Sequence, residues 1–422
     1  MAWHRTECQK ELHMSDGPGG ILLMDNAAAV SLTPWKGQAQ CVYIDPPFFT
    51  GEEFHFRMRC GREGWEKGSP VLTLPAFGDF HGSSREDFLT LLRALLEQAK
   101  LLLSDTGALF LHLDSRMNAY ARLLCDEIFG EKNFINEIIW AYQSGGRSKK
   151  HFSRKHDVIL FYAKSRNLFF DITRVPIPRG ENRENHMKRS VDENGRACRT
   201  IRVGGKVYTY YDDEPVYPDD VWMDVSHLQQ KDPQRTGYDT QKPRALLDRI
   251  IRCCTRPGDL VADLCCGSGT TLIAAHENGC RYLGIDCGEA AISVSRKRLL
   301  GTGMALRAPL SDRPEKMEAS VLPGIGYYSI TLTDYLPGAE DRALIDKLLP
   351  GGLKHPLDAI DQWSAGYLRD GVFQVYTSAA RLKQTPQLQT TISLPILRGE
   401  PVIMTVDILG RRTLWIQDES GV

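Results

Sequence analysis

DLVADLCCGSGTTLIAAHENGCRYLGIDCGE, residues 259–289, contains two short apolar segments separated by a glycine-rich turn and a helix-forming segment. The first apolar segment predicts a strand that ends at Asp263, and the turn after it contains Gly267 and Gly269. A helix and then a second strand, which ends at Asp286, follow the turn. This order of strand, turn, helix and strand predicts an α/β fold built on a parallel sheet.

The same unit contains groups suited to a ligand with a nucleoside part. Glycines in the turn let the backbone approach a ligand closely, and an acid at the end of the next strand can accept hydrogen bonds from ribose hydroxyls. The third glycine of the dinucleotide fingerprint is absent, and Asp263 adds an anion that would repel a pyrophosphate. S-adenosylmethionine carries an ammonium and a sulfonium, so the pattern favours it over a dinucleotide. The alternative interpretation is a structural turn with incidental acids.

Segments typical of strands alternate with segments typical of helices along most of the chain, which predicts a doubly wound, mostly parallel sheet with helices on both faces. Residues 1–20 are expected to be a polar N-terminal tail, and residues 21–305 to form the α/β domain. Within that domain, residues 166–235 have poor periodicity and dense charge, which indicates an inserted substrate-recognition region. Gly, Pro and charged residues predict a long loop at residues 51–82, and residues 306–422 are expected to form a β-rich C-terminal domain.

The composition excludes several classes of protein. The 422 residues have a net charge of −1 and are 42% hydrophobic, as in an ordinary soluble protein. The 11 cysteines include no Cys-x-x-Cys pair, so we expect reduced thiols and neither a disulfide scaffold nor a metal site. No apolar stretch approaches the roughly 20 residues of a membrane-spanning helix, and no signal peptide is recognisable. These features predict a soluble, cytoplasmic protein without a membrane partner.

A second motif, CVYIDPPFFTG at residues 41–51, ends an apolar strand with an acid, two prolines and an aromatic ring. Pro47 has no N–H, so the carbonyl of Pro46 lacks a ladder partner and is available as an acceptor beside the Asp45 carboxylate. Two such acceptors can hold the hydrogens of a planar amine, while Phe48 stacks on the ring that carries the amine. This arrangement suits in-line methyl transfer to an exocyclic amino group, with catalysis mainly by positioning. The alternative is a strand-end Pro-Pro turn with a capping Asp.

These two motifs, with RKHDVILFYAKS, DDVWMDV and RTGYDTQKPRALLDRII between them, resemble the amino-group DNA methyltransferases of the permuted β class. In that class the catalytic motif precedes the cofactor motif, and the resemblance extends from about Ile21 to Leu300. It implies the doubly wound methyltransferase sheet, S-adenosylmethionine as cofactor, and double-stranded DNA as substrate. The target base would have to leave the duplex before the reaction.

The resemblance also assigns residues to roles. The catalytic corner would consist of Asp45, Pro46, Pro47 and Phe48. The cofactor-binding residues would be Asp25, Asn26, Lys242, Pro243, Asp263, Cys265, Gly267, Ser268, Gly269, Thr270 and Asp286. Within this set, Lys242 and Pro243 match the segment that closes over the methionine end of the cofactor. The chain departs from the adenine-type pattern at Phe48, which keeps a stacking face but lacks the hydroxyl of the common tyrosine, at Phe49, which replaces an amide, and at Cys265, where an aromatic residue is usual.

The first residue of the corner favours adenine as the target, because by this resemblance Asp rather than Ser indicates adenine N6 over cytosine N4. The chain is therefore expected to be a site-specific DNA methyltransferase acting on adenine N6. Methylation of cytosine N4 and a catalytically silent DNA-binding subunit stay open as alternatives. The permuted motif order and the basic insert disfavour methylation of RNA or of a protein glutamine. The sequence contains no Pro-Cys dipeptide, which excludes carbon-5 methylation.

Two basic segments are candidates for DNA binding, since Lys and Arg neutralise phosphates and Arg reads guanine edges. A glycine-hinged loop beside the corner contains Arg147, Lys149, Lys150, Arg154 and Lys155. The inserted region contributes Arg183, Arg189 and Arg199, together with Arg196 and Arg202. A solvated charged face is the alternative interpretation, because acidic residues at 212–214 balance the far end of the insert.

The β-rich C-terminal region contains no motif with recognisable chemistry. Three roles stay open for it: bracing the catalytic domain, forming a homodimer, or contacting a cognate restriction endonuclease or flanking DNA. The resemblance further implies a bacterial, phage or archaeal protein that acts at the nucleoid.

Overall fold

A computed structural model of the chain describes residues 3–14, 19–24, 31–60, 71–79, 84–142, 148–178, 188–313, 315–349, 351–383, 385 and 387–417. Four of the predicted site residues, Asp25, Asn26, Arg147 and Arg183, lie outside the described residues, and their roles stay predictions. The α-helices are α1 (Arg85–Leu102), α2 (Asn118–Phe129), α3 (Arg244–Cys254), α4 (Thr270–Glu277), α5 (Glu289–Arg298) and α6 (Ala339–Leu348).

The strands are β1 (Trp3–Thr6), β2 (Lys10–His13), β3 (Ile21–Met24), β4 (Ala39–Ile44), β5 (Glu53–Arg59), β6 (Val71–Gly78), β7 (Leu103–Leu113), β8 (Phe134–Ala141), β9 (His156–Ala163), β10 (Lys188–Val191), β11 (Ala197–Val203), β12 (Lys206–Tyr211), β13 (Val221–Trp222), β14 (Leu260–Asp263), β15 (Arg281–Asp286), β16 (Ala305–Arg307), β17 (Lys316–Pro323), β18 (Tyr327–Leu336), β19 (Ile360–Arg369), β20 (Val372–Ala380), β21 (Thr391–Pro395), β22 (Pro401–Asp407) and β23 (Arg412–Gln417).

One large sheet runs through the described part of the chain, in the order β1-β23-β22-β19-β20-β2-β16-β3-β15-β14-β4-β7-β9-β8-β13. The strands from β16 to β7 in this order are all parallel to their neighbours. Strand β9 lies antiparallel between β7 and β8. The predicted doubly wound, mostly parallel α/β sheet is therefore confirmed for the central part of the molecule.

Hydrophobic cores cover both faces of this central sheet. On one face, Leu246 of α3 and Ile292 of α5 pack on strand residues such as Val261. On the other face, Leu92 of α1 and Ala121 of α2 pack with their neighbours from β4 and β7. Helices on both faces explain why β4 and β14, in the middle of the sheet, are buried along their whole length.

The order of the strands places the two sequence motifs side by side. Strand β14, which ends at Asp263, pairs in parallel with β4, which precedes Asp45. The helices that follow β14 cover one face of the sheet, and those that follow β4 cover the other. Such a switch point opens a crevice at the carboxyl ends of the strands, where α/β proteins bind their ligands.

Two expectations from the sequence were wrong. The expected N-terminal tail contains β1 and β2, and β2 joins the central sheet to β20, so four C-terminal strands continue the same sheet. Both strands are short and polar, and long-range pairing rather than local apolar pattern determines them. The expected loop at residues 51–82 contains the antiparallel hairpin β5–β6, whose buried side chains include Phe56 and Leu72.

The inserted region contains a small antiparallel sheet, β10-β11-β12, and β13 at the edge of the large sheet. Trp222 in β13 is buried and its indole N–H donates to the Asp219 carbonyl, as expected of a packing residue. No helix in the described residues is long and apolar enough to span a membrane. Among those same residues, no cluster of His, Cys, Asp and Glu is arranged to hold a metal ion.

Candidate active site

A cavity opens at the carboxyl ends of β4, β14 and β15, and residues of both sequence motifs line it. The predicted site residues on its wall are Asp45, Pro47, Lys242, Asp263, Cys265, Gly267, Ser268, Thr270 and Asp286. Tyr43, Phe77 and Tyr238 add aromatic surface to the same wall. Binding pockets commonly combine apolar walls with a few convergent polar groups. The structure therefore brings Asp45 and Pro47 of the predicted corner together with most of the predicted cofactor residues, whereas Pro46, Phe48, Pro243 and Gly269 are not among the residues that line the cavity.

The catalytic corner follows directly from the end of β4. All six residues of β4 are buried, and Asp45 is the first residue beyond the strand with partial exposure. Pro46 is buried, whereas Phe48 is partly exposed and its ring lies 5.8 Å from the imidazole of His112. Since Pro47 cannot continue the ladder, the chain leaves the sheet here and Asp45 faces the cavity.

An aspartate that sequence reasoning missed holds the loop after the corner. Phe49 has a left-handed backbone, with φ of 59°, which is unfavourable for an aromatic residue. The buried carboxylate of Asp79 accepts hydrogen bonds from the N–H groups of Phe49 and Thr50, both at 2.8 Å. The Phe49 ring packs near Phe88 of α1, so the residue in place of the family amide serves the core. Asp79 follows the hairpin that the sequence analysis took for a loop.

Lys242 lies at the catalytic corner. Its Nζ donates to both carboxylate oxygens of Asp45, at 2.7 and 2.5 Å, and lies 4.9 Å from the centre of the Phe48 ring. The resemblance had assigned this residue to the methionine end of the cofactor. Pro243 caps the start of α3 with a φ of −68°, as proline does at a helix N-terminus. The pairing of Lys242 with Asp45 was not foreseen from the sequence.

The glycine bend after β14 packs tightly against helix α5. Gly267 and Gly269 both have left-handed backbones, with φ of 49° and 73°. A side chain at Gly269 would place its Cβ 2.7 Å from the hydroxyl oxygen of Ser295 in α5. The Ser295 hydroxyl donates to the Gly267 carbonyl at 2.8 Å, and Arg298 donates to the Ser268 carbonyl at 2.6 Å. Neither contact was predicted, because Ser295 and Arg298 lie beyond α4 and β15, and no local sequence pattern links them to the bend.

Two acids face the cavity from the ends of adjacent strands. Burial raises the pKa of Asp263 to about 7, although its carboxylate also accepts from the Cys265 N–H at 3.0 Å. Burial likewise raises the pKa of Asp286, whose two oxygens accept from the N–H groups of Gly267 and Gly288. Two desolvated carboxyl groups in one partly apolar cavity favour a ligand that brings positive charge and hydroxyl donors.

A buried polar network supports the floor of the corner. The Tyr43 hydroxyl lies 2.7 Å from Nδ1 of His112, and Nε2 of that ring lies 3.2 Å from the Asp157 carboxylate. Because a carboxylate only accepts, the proton belongs on Nε2, and Nδ1 accepts from Tyr43. Tyr142 donates to the other Asp157 oxygen at 3.1 Å. The network connects β4, β7 and β9 with the residue that follows β8, and it was not predicted.

The predicted DNA-binding residues fall into two separate groups in the structure. Lys149, Lys150 and Arg154 are exposed on the segment before β9, and Lys155 is partly exposed. Phe152, between them, is fully exposed, a feature that sequence analysis did not single out. Arg189 and Arg199 lie opposite each other on β10 and β11, and both bind the Asp212 carboxylate.

A doubly wound sheet, with a glycine bend and with Asp45 and Pro47 of an Asp-Pro-Pro-Phe corner on the wall of one cavity at its switch point, is the arrangement expected of a group-transfer enzyme that acts on exocyclic amines. The chain belongs to the N6/N4 DNA methylase family, whose model matches residues 39–297, and is a DNA amino-methyltransferase that uses S-adenosylmethionine. The resemblance seen in the sequence is thereby confirmed.

The chain is similar to several curated proteins and to solved structures. Type II methyltransferase M.EcaI of Enterobacter cloacae is 26% identical over 70% of this chain and 71% of its own length. DNA adenine methyltransferase YhdJ of Escherichia coli (strain K12) is 24% identical over 61% of this chain and 75% of its own. The structure of PvuII DNA methyltransferase (cytosine-N4-specific) has a TM-score of 0.45 and 14% identity, covering 70% of this chain and 90% of that chain.

The residues on the cavity wall fit S-adenosylmethionine. The buried Asp263 and Asp286 carboxyl groups would be compensated by a ligand that carries cations and ribose hydroxyls. Gly267 lies on the cavity wall and has no side chain, so a ligand can approach the backbone of the bend there. Bound there, the cofactor supplies an electrophilic methyl group.

Proposed function

We propose that the protein transfers a methyl group to the N6 amine of adenine, at a specific site in duplex DNA, after the base has flipped into the cavity. The observation that supports this most strongly is the shared cavity, whose wall includes both Asp45 and the glycine bend. Enzymes that act on a base in a duplex must first take it out of the stack, and a wall with apolar and polar parts can receive it. The specificity for adenine rests on the Asp at the first position of the corner.

The roles proposed for the corner follow from its chemistry. The Asp45 carboxylate accepts a hydrogen bond from the exocyclic amine, and the Pro46 carbonyl accepts the second one. These two contacts orient the nitrogen lone pair toward the bend, and the partly exposed Phe48 ring stacks on the base. Holding two reactants in the right geometry removes much of the entropic part of the barrier. Catalysis by this site is therefore mainly positioning.

The exposed cations near the site are proposed to bind the DNA backbone. Lys149, Lys150 and Arg154 lie on one exposed segment, where flexible cations can contact phosphates and release counterions. The inserted region 166–235 is proposed to recognise the target sequence. Relatives in restriction-modification systems, such as the Type III EcoPI Mod subunit of Escherichia phage P1, support a cognate endonuclease as a further partner. The C-terminal strands are further proposed to hold two copies of the chain together as a homodimer.

Cytosine N4 is the second candidate target, because the same corner can hold its smaller amine. The experiment that decides is incubation of the full chain with genomic DNA and methyl-labelled cofactor, followed by nucleoside analysis. Labelled N6-methyladenine supports the proposal and N4-methylcytosine supports the second candidate. The absence of label would contradict both. Sequencing of the labelled DNA then gives the position that is methylated.

A further inference from the structure

The Lys242 side chain occupies both features that the catalytic corner offers to a base. Its ammonium donates to each Asp45 oxygen, at 2.7 and 2.5 Å, and lies 4.9 Å from the centre of the Phe48 ring. The first contact is a charge-assisted hydrogen bond and the second is in the range of cation–π contacts. The pair is largely shielded, since the side chains of Lys242 and Asp45 are 13% and 17% exposed.

We propose that Lys242 is a placeholder for the target amine, which satisfies Asp45 and covers Phe48 until a flipped base displaces it. The proposal rests on the proposed function, because it takes the corner as the site of the exocyclic amine. An ammonium and an exocyclic amine both present N–H donors, so either one can satisfy the same carboxylate. An aromatic face likewise accepts either a cation or a stacked base.

The displacement gives the corner a means of selecting bases. Removing one partner of a shielded ion pair is strongly unfavourable, because the remaining charge is left without compensation. A base with an exocyclic amino group replaces the donor that Asp45 loses, whereas thymine has no such group. Lys242 therefore makes the admission of a base without an amine less favourable than it would be at an empty corner.

The surroundings of Lys242 fix its backbone and leave its side chain able to move. The neighbouring Gln241 accepts hydrogen bonds from the N–H and hydroxyl of Thr236, and Pro243 begins α3. Earlier in the same segment, the Gly237 carbonyl accepts from the Arg57 N–H of the β5–β6 hairpin, at 2.9 Å. The flexible four-carbon stem of a lysine can then swing the ammonium away without a shift of the helix.

The test measures how readily a base enters the corner. A duplex carries 2-aminopurine at the methylated position, once sequencing has identified it, and its fluorescence changes when the base leaves the stack. The amine of 2-aminopurine is at carbon 2, so a base held in the orientation proposed for adenine presents no donor from carbon 6 and does not replace the lysine on Asp45. The full-length wild type, Lys242→Met and Lys242→Arg are titrated with this duplex in the presence of S-adenosylhomocysteine.

Methionine keeps much of the apolar stem and removes the ammonium, so Lys242→Met is expected to reach half-saturation at a roughly tenfold lower concentration. Arginine keeps the charge and can hold a carboxylate with two hydrogen bonds, so Lys242→Arg is expected to show no gain. An unchanged or weaker response in Lys242→Met would overturn the placeholder. So would a loss of S-adenosylhomocysteine binding in that variant with no gain in base flipping, which would place the lysine in the cofactor site.

The wild type provides a second readout if Lys242→Met does not fold. With nitrogen-15-labelled lysine, the ammonium signal of Lys242 is assigned by its absence from Lys242→Arg. It is expected to shift when the duplex and S-adenosylhomocysteine are added, and an unchanged signal would refute the displacement. A failure of the proposed function is distinct, because genomic DNA would then acquire no label at all.

Discussion

The two turns that face the cavity are built in different ways. The glycine bend is supported by Ser295 and Arg298 of helix α5, which donate to backbone carbonyls 28 and 30 residues earlier in the chain. The corner after β4 is held by carboxylate contacts: Asp79 accepts from the Phe49 N–H, 30 residues before it, and Asp45 binds Lys242, 197 residues away. It also contains an unfavourable backbone at Phe49. The comparison indicates a fixed cradle for the cofactor beside a corner whose contacts a substrate can exchange.

The largest expected effect separates the two turns by function. Asp45→Ala removes the acceptor for the amine, so transfer should fall about a thousandfold, the size seen when a preorganised group at a reacting centre is lost. Cofactor affinity should stay close to that of the wild type, because the bend is untouched. Labelled methyl transfer to genomic DNA and calorimetric titration with S-adenosylhomocysteine measure the two quantities.

Asp105→Ala is the matched control for this variant, since Asp105 is an exposed carboxylate in β7, outside the cavity wall. It is expected to leave both quantities unchanged. If Asp45→Ala lost cofactor binding as strongly as transfer, the corner and the bend would not be separate in function.

The second largest effect is expected from a substitution in the glycine bend. Gly269→Ala forces a left-handed alanine and brings its Cβ within 2.7 Å of the Ser295 hydroxyl oxygen. We expect a loss of about 3 kcal/mol in the free energy of unfolding, from backbone strain and the clash together. Cofactor affinity should fall by roughly a hundredfold, because the bend must shift to relieve the contact. Thermal denaturation and calorimetry measure both.

Gly301→Ala isolates the backbone part of that effect. Gly301 also has a left-handed backbone, with φ of 82°, but no atom lies within 4 Å of its added Cβ. A loss of about 1 kcal/mol with normal cofactor affinity is expected. Equal losses of unfolding free energy and of cofactor affinity in Gly269→Ala and Gly301→Ala would show that the packing of Ser295 against the bend has no role.

The third effect loosens the corner without touching Asp45. Asp79→Asn replaces an acceptor by a donor facing a backbone N–H, and an unsatisfied buried group costs about 1–3 kcal/mol. Because the loop after the corner would then be misplaced, transfer should fall about thirtyfold while cofactor affinity is retained. Steady-state rates with genomic DNA measure this. Phe49→Asn, which suits a left-handed backbone, is the control and should keep its rate. A normal rate in Asp79→Asn would show that Asp79 does not position the loop after the corner for transfer.

The smallest effect concerns pH at the bend. A pKa of about 7 for Asp263 in the free protein means that half of the molecules are protonated near neutral pH. A cationic ligand favours the carboxylate, so cofactor affinity should rise with pH through 7 and fall about tenfold from pH 7.5 to pH 6. Calorimetry across that range measures it, and Asp263→Asn should show a flat profile.

The same group predicts a stability trend of the opposite sign in the unliganded protein. Since burial raises its folded pKa above the unfolded value of roughly 3.9, the stability it contributes is present below pH 4 and is lost as pH rises through 7. A melting temperature that is lower at pH 8 than at pH 6, relative to Asp263→Asn, is expected. A profile that matches the variant at every pH would contradict the burial of this carboxyl group.

Local pattern predicted the parts of the site that are local. The unit from Asp263 to Asp286 was recognised as strand, turn, helix and strand, because all of its signals lie within one stretch. The adjacency of β4 and β14 came from the family resemblance, since periodicity alone does not give strand order. The supports of the corner were missed because Asp79 is 30 residues from Phe49 and Lys242 is 197 residues from Asp45.

The N-terminal strands β1 and β2 were not predicted, for a related reason. Strand β2 has only four residues, and its Glu11 is fully buried against Arg296 and Arg412. A charged residue in a short polar segment predicts exposure unless its partners are known. Here the partners come from α5 and β23, so only the assembled sheet shows why the segment is a strand.

The most direct test is a crystal structure of the protein with S-adenosylhomocysteine and a duplex that contains its methylated sequence. We expect a flipped base with its exocyclic nitrogen about 3 Å from an Asp45 carboxylate oxygen, and the cofactor sulfur beside it over the glycine bend. A base that stays stacked in the duplex, or one that lies in the cavity with its amine away from Asp45, would contradict it.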